Sequence, residues 1–252
     1  MIYQHGAVAP GYSEKGGYVD SIGTPSESLL KEIEFVDTSI GQMVAELKKQ
    51  SRGLFNSTLI IITAKHGQSP IDSSRYIRNG SPNDPATILS SFLAPSENSA
   101  IGPTEDDVAL LWLAHSSETA AAVAELEHAS PALPLASNIA GIGEIFSGPP
   151  LSLVYNTPGL PPDDPRTPDI IVTPNIGVTY SNSKKKLAEH GGFSHDDTNV
   201  MLLVSNPGLQ PGTIYTPVET AQVAPTILDA LGLAANNLQG VQAEGTQVLP
   251  DL

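Results

Sequence analysis

The sequence predicts an α/β fold, and two neighbouring patterns lead to that prediction. Residues 58–62 form an unbroken run of apolar or β-branched side chains that ends at a short polar turn, which is typical of a strand buried on both faces. Residues 24–47, just before it, combine a helix-start signal with apolar side chains spaced three and four apart. A helix followed by a buried strand is half of a βαβ unit, so we expect a single α/β domain with an inserted subdomain.

The predicted helix has a clear beginning and one apolar side. Thr24 suits the N-cap, Pro25 the first helical position and Glu27 the third, which together form a capping box. Lys48 and Lys49 lie near its end, where positive charge interacts favourably with the helix dipole. The spacing of the apolar side chains predicts that this side packs on a core. These side chains are Leu29, Leu30, Ile33, Val36, Ile40, Met43, Val44 and Leu47.

The remainder of the chain alternates shorter predicted elements with long loops. Strands are expected over 108–114, 169–174 and 200–204, and helices over 84–93, 116–127 and 219–231. The loops between the earlier elements are rich in serine, proline and asparagine. We therefore interpret the range of about 80–168 as an insertion or cap on the main sheet.

Composition excludes several kinds of site. The net charge of −15 disfavours binding to nucleic-acid duplexes, which requires clustered Lys and Arg. Because the chain has no cysteine, disulfides, thiolate metal sites and a cysteine nucleophile are excluded, and any metal ion must be held by His, Asp, Glu or water. No apolar run is long enough to span a membrane, and the first residues do not resemble a signal peptide. The localisation is therefore not predicted, and secretion would require a signal upstream of Met1.

Histidines follow one predicted strand and precede another. His66 comes just after the first buried strand, at the end where open α/β sheets bind their ligands. His190 and His195 lie in a glycine-rich loop that contains the acidic pair 196–197 and leads into the strand over 200–204. Histidine with carboxylates can bind zinc or iron. A single such histidine more often bonds the backbone, but two similar loops favour a shared metal site.

Other catalytic motifs are missing from the sequence. The nucleophile motif G-x-S-x-G, which an esterase would need beside His190-Gly191-Gly192, does not occur. Gly141-Ile142-Gly143 lacks the third glycine of a dinucleotide loop, and there is no P-loop.

Four elements in order resemble the C-terminal half of the alkaline phosphatase superfamily, in its type I phosphodiesterase and nucleotide pyrophosphatase branch. They are residues 36–41 of the helix, Lys65-His66-Gly67, His190-Gly191-Gly192 and residues 223–228. The resemblance covers about residues 24–235. It implies a three-layer sandwich with a mostly parallel central sheet and a small inserted cap.

The resemblance also implies a reaction and its metal ions. In this family two zinc ions at the strand ends activate a Ser or Thr nucleophile that attacks phosphorus, and they stabilise the leaving oxygen. His66 and His190 match the family's metal ligands, and His195 is a second candidate in the same loop. The expected function is thus metal-dependent hydrolysis of phosphate mono- or diesters, with one or two Zn²⁺ ions and a small phosphorylated substrate.

The chain departs from the family at two places. Lys65 stands where the family has a metal-binding Asp, and a protonated amine cannot be a ligand. Either Lys65 replaces one metal's charge against the phosphate, which we favour, or the second metal site is lost. The family's first strand, its nucleophile and its D-x-x-x-H pair are not found in residues 1–23, where only Gln4-His5-Gly6 is similar. We therefore expect the chain to be the C-terminal part of a longer enzyme.

Two other functions remain open from the sequence. The chain could be a non-catalytic fragment or pseudoenzyme that retains the scaffold and binds without turnover. It could also be an unrelated acidic binding domain, which would require the loops of His66 and His190 to lie far apart.

Overall fold

The computed structural model has a mixed α/β architecture. It describes residues 17–49, 53–93, 102–128, 141–154 and 164–252. The chain separates into two compact units, the first containing 17–34 and 66–199 and the second 35–65 and 200–252, within the described residues. The Gln4-His5-Gly6 segment lies outside the described residues. In the part of the chain that is described, no helix is both long and apolar enough to cross a bilayer.

The helices are mostly short apart from the first. They are α1 (Glu27–Lys49), α2 (Pro85–Ile88), α3 (Thr119–His128), α4 (Leu151–Val154), α5 (His195–Thr198), α6 (Val223–Ala230) and α7 (Gln239–Glu244). The strands are β1 (Ile60–Thr63), β2 (Ser69–Pro70), β3 (Tyr76–Ile77), β4 (Thr104–Glu105), β5 (Ala109–Leu111), β6 (Ile142–Ser147), β7 (Ile170–Pro174), β8 (Thr179–Tyr180), β9 (Ala188–Glu189) and β10 (Leu202–Ser205). Most predicted elements are therefore present, although many are shorter than predicted.

The first unit is built around a four-stranded antiparallel sheet in the order β4-β5-β7-β6. Helices α2 and α3 contact this sheet and each other. The shared core is formed by Leu89, Ala109, Leu111, Leu113, Ala122, Leu126, Ile142, Ile170, Val172, Val178 and Tyr180. Because most of these side chains are fully enclosed, the first unit has a dry core of its own.

Two smaller strand pairs complete the first unit. Strand β3 pairs with β8 in parallel, and β2 pairs with β9 antiparallel. In the second pair Ser69 lies opposite Glu189 and Pro70 lies opposite Ala188. Residues before Ser69 therefore run beside residues after Glu189, which is the feature that positions the candidate site.

The second unit contains β1 and β10, which form a two-stranded antiparallel sheet, together with α6 and α7. Neither strand is fully buried. The prediction that residues 58–62 form a strand buried on both faces is therefore wrong in its burial. A two-stranded sheet leaves one face of each strand open to water unless another layer covers it.

Helix α1 begins two residues later than predicted and is less buried. Ser26, not Thr24, caps it, because the Ser26 hydroxyl accepts a hydrogen bond from the backbone N–H of Leu29 at 3.1 Å. The predicted apolar stripe is largely exposed: Leu30 and Ile33 expose nearly half of their surface and Met43 more.

The prediction of a mostly parallel central sheet is not confirmed in the described residues. Apart from β3 and β8, all of the strand pairs described there are antiparallel. Antiparallel pairing has a physical basis here, because it allows one face of a short sheet to remain solvated. The interpretation of about 80–168 as an inserted cap stays a prediction; its strands β4, β5 and β6 share a sheet with β7.

Candidate active site

The structure brings His66 and His190 into direct contact. Their imidazole rings stack with centroids 3.9 Å apart and planes inclined by 22°. The antiparallel register of β2 and β9 explains the contact, because it lays the residues before Ser69 along those after Glu189. The histidines are 124 positions apart in sequence, and this proximity contradicts the idea of an unrelated domain with distant histidine loops.

Gly67 allows the two loops to approach so closely. Its backbone N–H donates to the carbonyl of Asp197 at 2.6 Å, and the N–H of Gln68 donates to the carbonyl of Asp196 at 2.8 Å. A Cβ at position 67 would lie only 1.9 Å from the Asp196 carbonyl oxygen. A side chain there would therefore push the loops apart, so the glycine is required by the contact itself.

The ring of His66 has a defined orientation. Its Nδ1 donates to the carbonyl oxygen of Gly67 at 2.8 Å, since a carbonyl can only accept. This bond fixes the tautomer and leaves Nε2 as the atom with a lone pair for a metal ion. Backbone bonding, which is the ordinary role of a histidine after a strand, is thus present together with a geometry suited to ligation.

His195 lies at the first position of α5, in the same loop as His190. Its side chain is 80% exposed, its Nε2 is 2.9 Å from Nδ2 of Asn199, and its Nδ1 is 3.7 Å from a carboxylate oxygen of Asp196. These contacts all lie within one helical turn. Its role as a metal ligand stays a prediction.

Lys65 directly precedes His66 in the chain and is exposed. It belongs to the second unit, whereas the histidine pair belongs to the first. Its predicted role against a phosphate group stays a prediction.

Zinc fits this site in part. Neutral imidazole nitrogens are good zinc ligands, and His66 and His190 provide two of them. Among the described residues, however, no group of three or more His, Asp or Glu side chains has an arrangement suited to a metal ion. A zinc ion held by the histidine pair would therefore need water, substrate or further ligands to complete its usual four positions.

The structure also reveals a carboxyl pair, Asp107 and Asp197, which the sequence did not single out as functional. Both residues are buried, and both line a cavity of about 340 Å³ in the first unit. The hydroxyls of Ser69 and Ser194 donate to Oδ2 of Asp197 at 2.7 and 2.9 Å. The sequence signal was only two pairs of adjacent aspartates, 106–107 and 196–197, far apart in the chain.

The surroundings of this pair are strongly acidic. Burial, a hydrogen bond with Asp197 and the negative charges nearby raise the pKa of Asp107 to about 8. Lys186 forms ion pairs with Asp106 and Glu189, two carboxylates whose negative charges act on Asp107. Within the described residues, no cationic side chain forms an ion pair with Asp107 or Asp197.

Comparison with solved structures finds similar folds at low identity. Human ectonucleotide pyrophosphatase/phosphodiesterase 5 is 18% identical with a TM-score of 0.55, over 83% of this chain and 49% of that chain. The murine protein is 17% identical with a TM-score of 0.55, over 86% and 51%, and an inactive murine variant in complex with AMP has the same identity and coverage with a TM-score of 0.56. The chain thus spans about half the length of these relatives. A comparison with curated proteins gives no match.

The family is established by a sequence model that describes type I phosphodiesterase / nucleotide pyrophosphatase and matches residues 11–197. This match includes the loops of both stacked histidines and spans well over half of the chain. The chain therefore belongs to the type I phosphodiesterase / nucleotide pyrophosphatase family, a branch of the alkaline phosphatase superfamily.

Proposed function

We propose that the chain belongs to a metal-dependent hydrolase of phosphate mono- or diesters, in which His66 and His190 are zinc ligands. The observation that carries the proposal is the stacked pair of imidazoles, with ring centroids 3.9 Å apart. The two histidines come from separate loops, and both loops lie within the range that matches the family. Membership of a phosphodiesterase family supports the same class of reaction.

Contacts within the chain orient His66 and hold its loop against the loop of His190. The Gly67 carbonyl accepts from Nδ1 of His66 and so keeps Nε2 available as a ligand atom. The two loops are joined by backbone hydrogen bonds from Gly67 and Gln68, which limit how far the rings can separate. A bound zinc ion would supply Lewis-acid activation of the nucleophile and stabilisation of the leaving oxygen.

Lys65 and His195 have secondary roles in the proposal. Lys65, at the position of a metal-binding Asp in the family, would offset phosphate charge with its ammonium group. His195 would act as an accessory ligand or proton donor, which its exposure allows. The murine relative solved with AMP supports nucleotide-type esters as the first substrates to test.

A second candidate function is a non-catalytic relative that keeps the scaffold and binds without turnover. Two observations favour it: Lys65 replaces an expected ligand, and no group of three metal-ligating side chains occurs in the described part of the chain. The candidates differ in turnover, so a kinetic assay separates them.

The test is hydrolysis of a nitrophenyl phosphodiester and of a nitrophenyl nucleoside 5′-phosphate, with and without added Zn²⁺, in the full-length protein. We expect zinc-dependent release of nitrophenol. His66→Ala and His190→Ala should each lower kcat/KM by at least about a hundredfold, because a lost ligand removes metal affinity and metal activation together. Lys65→Met should lower it less, since one charge is lost and no ligand is removed.

His115→Ala is the matched control, because His115 is an exposed histidine of the first unit that is not part of the ring pair. It should retain the activity of the unmodified protein. Zinc-independent background rates that are equal in all variants would support the non-catalytic candidate and contradict the hydrolase.

A further inference from the structure

A second cluster of polar side chains in the first unit contains buried carboxyl oxygens that lack hydrogen-bond donors among the described residues. Asp107 and Asp197 are only 5% and 4% exposed, yet within the described part of the chain no N–H or hydroxyl group donates to Oδ2 of Asp107 or to Oδ1 of Asp197. A buried carboxylate oxygen without a partner is costly, so such atoms are rare in folded proteins. Two of them together on the wall of a cavity indicate that something absent from the protein alone satisfies them.

The space between these carboxylates is kept open by a glycine. A Cβ at Gly192 would lie 2.6 Å from Oδ2 of Asp197 and 2.8 Å from Oδ2 of Asp107. Both carboxylates therefore face the backbone of residue 192, and any side chain there would fill the gap between them. The glycine leaves room for a small ligand close to both groups.

Charge determines which ligand is suitable. The nearby cation in the described residues is Lys186, and its ion pairs are with Asp106 and Glu189 and not with Asp107 or Asp197. Among the described residues the carboxyl pair therefore has no cationic side chain as a partner, in a site where burial weakens screening by water. An anion or a neutral apolar ligand would leave the carboxylate oxygens unsatisfied, whereas a small cation would pair with both.

We propose that Asp107 and Asp197 bind a divalent cation that prefers oxygen ligands, of the Ca²⁺ and Mg²⁺ class. Both ions prefer oxygen ligands: Mg²⁺ is commonly bound through one or two carboxylates and keeps several waters, whereas Ca²⁺ gathers six to eight oxygens from carboxylates, carbonyls and water. The hydroxyls of Ser69 and Ser194, which already contact Asp197, lie beside the site. The proposal does not depend on the histidine pair or on hydrolysis.

The ion would have a structural effect on the loop that carries His190. Asp197 and Gly192 belong to that loop, whereas Asp107 precedes β5 of the central sheet. A cation bound by both carboxylates would link the loop to the sheet of the first unit. Binding should therefore stabilise the folded chain as well as satisfy the buried oxygens.

The test measures the Tm of the full chain after treatment with a chelator, and then with added CaCl₂ or MgCl₂ at constant ionic strength. At a hundredfold excess over Kd, we expect one of these salts to raise the Tm by about 5–10 °C. Asp107→Asn should abolish that increase, because the amide cannot supply a carboxylate oxygen to the cation. Calorimetric titration with the same cation should give one site in the unmodified chain and none in Asp107→Asn.

Two controls make the result specific. Glu144→Gln removes one exposed carboxylate that lines the same cavity and should keep the full response. The double variant His66→Ala/His190→Ala should also keep it, which separates this site from the proposed zinc site. If Asp107→Asn does not fold, Asp197→Asn serves in its place with the same expectations.

The proposal would be overturned in either of two ways. No change in the Tm of the unmodified chain with Ca²⁺ or Mg²⁺ would mean that the carboxyl pair is satisfied by a shared proton alone. An equal response in Asp107→Asn and Glu144→Gln would mean that the cations act on general surface charge.

Discussion

The two compact units differ in how completely they enclose their apolar side chains. In the first, Leu111, Leu126 and Ile170 are fully buried around a four-stranded sheet. In the second, Leu203 exposes 45% of its surface, and Met201 and Leu231 expose still more. The first unit supplies its own core, while the second presents apolar side chains to water.

The difference shows which part of the chain can hold a site by itself. Three or more strands with a covered face give independent stability, whereas a two-stranded sheet is marginal in water. His66, His190 and the carboxyl pair all lie in the unit with the larger core. The geometry of the site is therefore supported by packing within that unit.

Matched leucines give the largest expected contrast between the units. Leu111→Ala should lower the free energy of unfolding of the first unit by about 2–5 kcal/mol, because it leaves a cavity in a dry core. Leu203→Ala, also in a strand, should cost about 1 kcal/mol or less, because Leu203 is already half exposed. Urea unfolding measures both, and equal losses would contradict the difference in burial.

Two glycine substitutions, one in each unit, should change the free energy of unfolding in opposite directions. Gly67→Ala should destabilise the chain by about 1–3 kcal/mol, because the new Cβ would overlap the Asp196 carbonyl. Gly41→Ala, inside α1, has no atom within 4 Å of its new Cβ and should stabilise the chain by about 0.5–1 kcal/mol. The same urea experiment tests them, and a neutral Gly67→Ala would show that the loops do not need their close approach.

The start of α1 provides a smaller effect. Ser26→Ala should cost about 1 kcal/mol, because the N–H of Leu29 loses its capping partner. Thr24→Ala should cost less, since Thr24 is exposed and does not cap the helix. If thermal unfolding showed a greater loss of stability for Thr24→Ala than for Ser26→Ala, Thr24 would be the N-cap of α1, as the sequence predicts.

A pH-dependent contrast concerns Glu105 in the first unit. Burial, followed by a hydrogen bond with Asp84, raises its pKa from 4.5 to about 8, although the N–H of Ala86 works against the shift. The folded state therefore keeps a proton that the unfolded state has lost, and stability should fall as the pH rises from about 4.5 to about 8.

Glu105→Gln should remove this part of the pH dependence, so its Tm should exceed that of the unmodified chain by more at pH 8 than at pH 5. The exposed Glu144→Gln should leave the dependence unchanged. A Glu105→Gln variant that parallels the unmodified chain at every pH would show that Glu105 titrates normally.

The sequence predicted features that depend on local spacing. The 3.6-residue period located α1, and the order of motifs joined His66 with His190 before their contact was known. The helix start was wrong by two residues because Thr24 and Ser26 both suit an N-cap. Ser26 is selected by its tertiary surroundings, since it is buried and its N–H donates to the Gly17 carbonyl at 2.8 Å.

Features that depend on distant partners could not be predicted in the same way. The family resemblance implies a mostly parallel sheet, and the apolar run over 58–62 does not reveal which strand pairs with it; in the structure β1 pairs antiparallel with β10. The Asp107–Asp197 pair was missed for the same reason, since two carboxylates 90 positions apart leave no local pattern. Only the fold shows that both carboxylates lie beside the backbone of Gly192.

The most direct test of the proposed site is a zinc titration followed through the imidazole nitrogen signals of ¹⁵N-labelled protein, assigned by single His→Ala variants. If His66 and His190 share a metal site, the Nε2 signal of His66 and a ring signal of His190 should change together and saturate at the same zinc concentration. The His115 signals should not change over that range. Unchanged signals of His66 and His190, or saturation at separate zinc concentrations, would contradict a shared metal site at the stacked pair.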